Sequence, residues 1–360
     1  MKIYNFSAGP AMLPEEVMLQ AQEEFVSWNN TGVSMMEMPH RSEEFKNIAA
    51  ESIQDMRDLL DIPDNYQVLF LHGGGRSQFA MIPMNLLGNY ERAAYVNFGL
   101  WGHLAIEEAR KYCEVSVVAD NNPGSRTCVP SQSSWDDFSD HAYLYTVDNE
   151  TVNGLEFNYT PHTGDVPLVS DMSSNLLSRP FDIKSYGLVF ACAQKNLGPS
   201  GVTVVIVRDD LLNRGMLPGT PSMFNYKVHA ENHSMYNTSP TYSWYVVGLV
   251  LKWIKRQGGL EAMGLQNQRK SKKLYDYIDS EDFYINDIPK DSRSRMNVVF
   301  NLVDDNLNAD FLQQAKQAGL VNLKGHRLVK GMRASIYNAM PEEGIDALID
   351  FMSQFVRSKG

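Results

Sequence analysis

One lysine sits where a reactive amine would be useful. Lys195 follows the apolar run Leu188 to Cys192 and precedes the turn Gly198-Pro199-Ser200-Gly201 and a second apolar run, Val202 to Val207. Runs of that length, bounded by turn residues, predict two buried strands. Lys195 is then held at a strand end between rigid elements. A free lysine has a pKa of about 10.4. Apolar surroundings disfavour its charged form and leave the amine free to attack a carbonyl carbon. The plain alternative is a solvated loop lysine, and the other polar residues must decide between them.

Gly73-Gly74-Gly75-Arg76-Ser77 follows an apolar run and opens a helical pattern. Consecutive glycines let the backbone approach an anion, and a helix start offers free N–H groups, so the stretch reads as a phosphate cradle. No Gly-Lys-Ser/Thr follows, and the GxGxxG fingerprint is absent. Arg76 adds a guanidinium suited to an oxyanion; a tight turn alone would also use three glycines. Asp171 closes the run Pro167 to Ser170 and stands at the same predicted sheet edge as Lys195. A carboxylate there can keep a pyridine nitrogen protonated, or it can cap Ser173-Ser174. Trp101 can stack on a flat ring or fill core. Thr151 can bond a ring hydroxyl or shape a turn. Taken together, these residue types suit an imine between Lys195 and pyridoxal phosphate.

A second set is cationic. His40-Arg41 lies in one loop, and His326-Arg327 and Arg333 lie near the C-terminus. In a chain of formal charge -11 these pairs suggest a substrate with several negative charges; ordinary solvated surface charge is the alternative. Arg333 falls in the apolar run Met332 to Tyr337, where a guanidinium needs a partner.

The 360 residues, 43% hydrophobic, suit about two domains. The negative charge argues against nucleic acid or an anionic membrane as a general partner. Cys113, Cys128 and Cys192 show no metal-ligand spacing and fit a reduced compartment. No signal peptide or membrane span is visible, so a soluble, cytoplasmic protein is expected.

Along the chain, Pro14-Glu15-Glu16 opens a helix whose Val17, Ala21, Phe25 and Trp28 share a face, and a second helix is expected over 42–60. Seven short apolar runs then appear, at 68–71, 94–97, 115–119, 142–147, 167–170, 188–192 and 202–207. Helical patterns separate several of them. The alternation predicts an α/β fold with a mostly parallel sheet covered on both faces. Gly258-Gly259 marks a boundary. Beyond it come a long polar helix over 260–278, strands near 283–288, 297–302 and 332–338, and two further helices. The expected divisions are an extended segment 1–15, a large domain 16–257 and a smaller α+β domain 258–360.

On these residues the chain resembles the phosphoserine aminotransferase group of the class V aminotransferases, which are fold type I pyridoxal-phosphate enzymes. The resemblance runs from Asn5-Phe6-Ser7-Ala8-Gly9-Pro10 to Arg333-Ala334-Ser335-Ile336-Tyr337-Asn338-Ala339. It is most specific at His72-Gly73-Gly74-Gly75-Arg76, at Ala193-Gln194-Lys195-Asn196-Leu197-Gly198-Pro199 and at Gly325-His326-Arg327. It implies that Lys195 is the Schiff-base lysine, that Asp171 pairs with the pyridine nitrogen, that Trp101 stacks on the ring and that Thr151 bonds its phenolic oxygen. Gly75, Arg76 and Gln194 would surround the cofactor phosphate. Asn237 and Thr238 would reach the phosphate of the other subunit in a homodimer. Arg333 would hold the substrate α-carboxylate. Arg76, His326 and Arg327 would hold its phosphate, with His40 and Arg41 from the partner chain.

The implied reaction moves an amino group from L-glutamate to 3-phosphohydroxypyruvate, with 3-hydroxy-2-oxo-4-phosphobutanoate as a further substrate. Ala8 and Ser77 stand where some members have Ser and Gly, which touches substrate and phosphate contacts but no catalytic position. Two rivals remain at this stage. One is another class V enzyme, an alanine–glyoxylate aminotransferase or a cysteine desulfurase using Cys128 in the loop-like stretch 120–135. The other is a nucleotide-binding or interaction protein with the glycine turn around a nucleotide phosphate.

Overall fold

The computed structural model describes residues 2–121 and 128–359. Residues 122–127, in the middle of the expected 120–135 loop, lie outside the described residues.

Seven strands form one sheet: β1 (Tyr66–His72), β2 (Arg92–Asn97), β3 (Glu114–Asp120), β4 (Leu144–Val147), β5 (Leu168–Asp171), β6 (Leu188–Cys192) and β7 (Val202–Arg208). Their spatial order is β1-β7-β6-β5-β4-β2-β3. Only β7 runs antiparallel to its neighbours. The other six therefore all point their C-terminal ends to one edge, as the seven apolar runs anticipated.

Alternate residues of each strand feed opposite layers, because side chains switch face at every step. Val68 and Phe70 belong to one buried cluster, and Leu69 and Leu71 to the other. The first layer is covered by α1 (Glu43–Leu60) and α2 (Thr241–Arg256). The helix α1 starts because the Ser42 hydroxyl accepts from Phe45 N–H at 3.2 Å and two acids occupy its first turn. It stops at Asp61, in the left-handed region with φ 48°. Trp244 of α2 anchors this face, stacked on Phe70 with centroids 4.5 Å apart and met edge-on by Phe45. The second layer is covered by α3 (Gly75–Leu86) and α4 (Leu100–Ala109), through Phe79, Ile82 and Ile106.

The C-terminal part has its own core. The three strands β8 (Tyr284–Ile285), β9 (Asn297–Leu302) and β10 (Met332–Ser335) form an antiparallel sheet. Phe300, Phe311 and Ile336 pack on its helices with Tyr4 and Phe6 from the other end of the chain. Tyr4–Asn5 pairs in parallel with Leu320–Val321. The opening segment is thus part of the C-terminal core before it crosses to the sheet edge, where Ala11 N–H donates to the Gln194 carbonyl at 2.9 Å.

Two expectations need correction. The first helix covers only Glu15–Glu23, short of Trp28. The Ser27 hydroxyl accepts from Gly32 N–H, and Asn29 and Asn30 take positive φ, so a turn satisfies the backbone that helix would have used. Phe25 is left 46% exposed rather than on a buried stripe. Near 283–288 the strand is two residues long, because the Asn286 side chain donates to the Val299 carbonyl and replaces the next ladder bond. Among the described residues no helix is long and apolar enough to cross a membrane.

Candidate active site

The C-terminal edge of the sheet carries the chemistry. Ligands of open α/β sheets bind outside this edge. Val147 is level with Asp171, and Asp171 with Phe190, on β4, β5 and β6. The residues after those strand ends therefore converge. A cavity of about 320 Å³ opens there, lined by Gly75, Arg76, Trp101, Thr151, Asp171, Gln194 and Lys195 among others.

Lys195 lies on its floor. Its Nζ donates to Thr151 Oγ1 at 2.6 Å and sits 5.9 Å from the Trp101 ring centre. Burial pulls the amine below the ordinary lysine range; Asp171, Cys192 and Glu150 oppose that shift. A lysine with an accessible neutral form is the nucleophile that imine chemistry requires.

Asp171 is 5% exposed. Its Oδ1 accepts from Ser173 N–H at 2.8 Å, so the capping reading of this aspartate also holds. Burial pushes its carboxyl upward, against the Ser173 bond and the Lys195 charge. A cation in the cavity beside it would compensate that buried charge.

The glycine stretch expected to cradle a phosphate forms the β1–α3 turn and lines the cavity. Gly73 has φ +93°, and a Cβ there would come within 2.4 Å of Ser77 Oγ. The turn releases the N-terminus of α3 into the cavity, where the first N–H groups have no helical partner. Across the cavity the Trp101 indole Nε1 is buried without a hydrogen-bond partner. An amine, a buried carboxylate, an aromatic wall and a helix N-terminus in one cavity fit a phosphorylated pyridine aldehyde.

Arg333 reaches this edge from β10. Its Nη1 donates to the Thr151 carbonyl at 3.3 Å, while Nε is buried and unpartnered. Burial lowers its pKa. The neighbouring His326 imidazole is also held low, first by burial and then by the Arg333 and Arg327 charges. Two guanidiniums beside an imidazole kept largely neutral leave room for an anion.

Not every expected residue lines the cavity. His326 and Arg327 stand beside Arg333 on the loop between Leu323 and Met332. His40 and Arg41 sit in the turn before α1, with Arg41 exposed. Asn237 and Thr238 are exposed too, tied down by His72 Nε2 at 2.6 Å from the Thr238 carbonyl. A single chain does not bring these four to its own cavity.

Other lining residues were not singled out from the sequence: Asn149, Ser173, Ser174 and Cys192. Burial raises the Cys192 thiol, which keeps it protonated. Glu150 was also missed. It is fully buried, and its carboxylate accepts from Trp101 N–H at 3.1 Å and Gly102 N–H at 2.8 Å. Its pKa is pushed up to about 7, chiefly by burial. The one signal available was its place at a strand end beside Thr151.

A mostly parallel α/β sheet with a buried lysine amine and a buried aspartate lining one cavity at its C-terminal edge is the arrangement that a pyridoxal-phosphate enzyme requires. The family model described as "Aminotransferase class-V" matches residues 3–348. The chain belongs to the class V aminotransferase family and is a pyridoxal-phosphate-dependent transaminase.

Its relatives are more particular. It is 54% identical to the phosphoserine aminotransferase of Coxiella burnetii (strain CbuG_Q212), over 100% of this chain and 99% of that one. It is 53% identical to that of Nitrosomonas europaea, with 99% of both chains covered. The phosphoserine aminotransferase structure from Bacillus circulans subsp. alkalophilus superposes with a TM-score of 0.97 at 46% identity, over 100% and 99% of the two chains. A PLP-bound phosphoserine aminotransferase from Trichomonas vaginalis gives 0.95 at 40% identity, over 98% and 100%. Membership of this family removes the nucleotide-binding alternative.

Proposed function

We propose that the chain transfers the amino group of L-glutamate to 3-phosphohydroxypyruvate, giving O-phospho-L-serine and 2-oxoglutarate. Whole-chain identity of 52–54% to phosphoserine aminotransferases supports this reaction. The observation that carries it in the site is the Arg333, His326 and Arg327 cluster beside the cavity that holds Lys195 and Asp171.

Gly75, Arg76 and Gln194 would hold the cofactor phosphate, Trp101 would face the ring, Thr151 would bond its hydroxyl oxygen and Asp171 would hold its nitrogen protonated. When bound, the cofactor supplies an electron sink for the substrate α-carbon. Lys195 Nζ takes the proton from the substrate Cα and returns it, acting as base and then as acid. Its depressed pKa and its Thr151 bond support both roles. Arg333 fixes the α-carboxylate through its planar fork. His326, Arg327 and Arg76 bind the distal phosphate or carboxylate, so glutamate and the phosphorylated oxo acid share one pocket.

In a cytoplasmic homodimer, His40 and Arg41 would come from the partner chain to the phosphate site, and Asn237 and Thr238 would reach the partner's cofactor phosphate. The exposure of Arg41, Asn237 and Thr238 in the single chain supports that reading. A large domain 16–257 and a small domain 258–360 would meet at this site. The homologous oxo acid 3-hydroxy-2-oxo-4-phosphobutanoate differs by one carbon unit and fits the same chemistry, which would give 4-phosphohydroxy-L-threonine.

The test is steady-state turnover of glutamate with each phosphorylated oxo acid and with glyoxylate. Efficient turnover of glyoxylate without use of either phosphorylated acid would overturn the proposal.

A further inference from the structure

We infer that Glu150 is a positioning residue: it locks the Trp101 ring platform and the Thr151–Lys195 pair into one rigid unit. The inference rests on the reading above that the cofactor ring lies against Trp101.

Glu150 and Thr151 are consecutive and leave the end of β4 together. The Glu150 carboxylate grips the first turn of α4 through Trp101 N–H and Gly102 N–H. The Thr151 hydroxyl accepts from Lys195 Nζ. The dipeptide therefore joins a helix that follows β2 to a loop that follows β6. The Trp101 side chain has no hydrogen bond of its own, since its Nε1 is unpartnered. Its position depends on where α4 begins.

Gly99 is shaped by this contact. A Cβ at Gly99 would lie 2.1 Å from Glu150 Cδ, so the carboxylate occupies the space a side chain would take. Its φ of -162° is ordinary extended backbone, so the glycine serves close approach rather than an unusual conformation. Glu150 is also held from its own side, where its carbonyl accepts from Gly154 N–H at 3.0 Å. A helix capped only for stability needs no such burial; Ser42 caps α1 from a half-exposed position. A buried carboxylate aimed at the one turn that carries the aromatic wall has the geometry of an orienting group.

The experiment uses the holoenzyme. Glu150→Gln keeps the shape but turns an amide N–H₂ towards one of the two N–H donors. The readouts are the induced visible circular dichroism of the bound cofactor, its dissociation constant, and the thermal midpoint. Glu150→Gln is expected to change the dichroism band by about twofold or more and to weaken cofactor binding about tenfold, as expected for misplacing a stacked group. On a Trp101→Phe background the same change should add less than about twofold, because partners acting through one another are not additive. A lowered thermal midpoint with unchanged dichroism and affinity, or an equal loss in both backgrounds, would mean that Glu150 only caps a helix. Should Glu150→Gln not fold, Glu150→Asp, which keeps the charge and moves it by one methylene, is compared in the same two backgrounds with the same outcomes. Trp101→Phe alone separates the two readings. If it leaves the dichroism unchanged, the placement of the ring is wrong; if it alters it and the Glu150 variants do not, only the role of Glu150 falls.

Discussion

Lys195 donates from Nζ to Thr151 Oγ1 at 2.6 Å, from strand ends that are 44 residues apart in the chain. The bond aims the amine across the cavity and gives it a neutral acceptor rather than an ion-pair partner. Replacing Lys195 by Ala should lower kcat by about 10²–10⁴-fold, the usual worth of a proton-transferring side chain. Borohydride reduction of the wild type followed by peptide mapping should mark Lys195. A label on any other lysine would reassign the nucleophile.

Asp171→Asn keeps the shape and removes the charge. The amide cannot hold a ring nitrogen in its protonated form, so kcat should fall by about 10²–10³-fold, the range for one lost electrostatic group. Cofactor binding should weaken far less. Single-turnover kinetics with glutamate measures this, and a variant within about threefold of wild type would remove Asp171 from the mechanism.

Arg327→Ala and Arg41→Ala test the phosphate cluster. Loss of one charge-assisted bond costs about 1.5–3 kcal/mol, or about 10–100-fold. KM for 3-phosphohydroxypyruvate should rise by that factor and KM for glutamate by less. Equal rises for both substrates would count against a phosphate role.

Two buried acids should give opposite pH signatures. Burial alone would raise the Glu156 carboxyl, but Arg295, by charge and by hydrogen bonds at 2.8 and 3.2 Å, turns the net shift downward. Its stabilising contribution is present above the unfolded value near 4.5 and is lost as pH falls through the lower folded value. Glu156→Gln should therefore cost about 3–5 kcal/mol at neutral pH, with the gap closing in acid. Asp148 is pushed up to about 6, chiefly by burial, from 3.8. Its contribution is complete below about 3.8 and fades as pH rises through 6, so the wild-type advantage over Asp148→Asn should shrink over that window. Denaturant midpoints from pH 3 to pH 8 decide both, and parallel curves for wild type and variants would refute the assignment.

Much of the fold was legible without coordinates, because its signals are local. The apolar runs 188–192 and 297–302 coincide with strands Leu188–Cys192 and Asn297–Leu302. The helix expected over 42–60 is α1, Glu43–Leu60, and the last helix, Glu342–Lys359, is one of the two expected towards the C-terminus. The first helix was overdrawn because an apolar face at Phe25 says nothing about whether a core exists to receive it. The candidate site was half legible. Lys195, Asp171, Trp101 and Thr151 each end or follow a strand, and in a parallel sheet strand ends share an edge. Glu150 was not, since its partners are backbone N–H groups, which carry no residue code.

By itself, then, the chain of residues determined its alternating α/β pattern and the placing of Lys195 and Asp171 at strand ends, since each depends on spacing within a few residues. The tertiary structure alone decided three things: that Tyr4–Asn5 pairs with Leu320–Val321, that Gly99 makes way for Glu150, and that Arg333 reaches the Thr151 carbonyl. These contacts join positions from about 50 to over 300 residues apart, and packing chooses such partners among many that local sequence would equally allow.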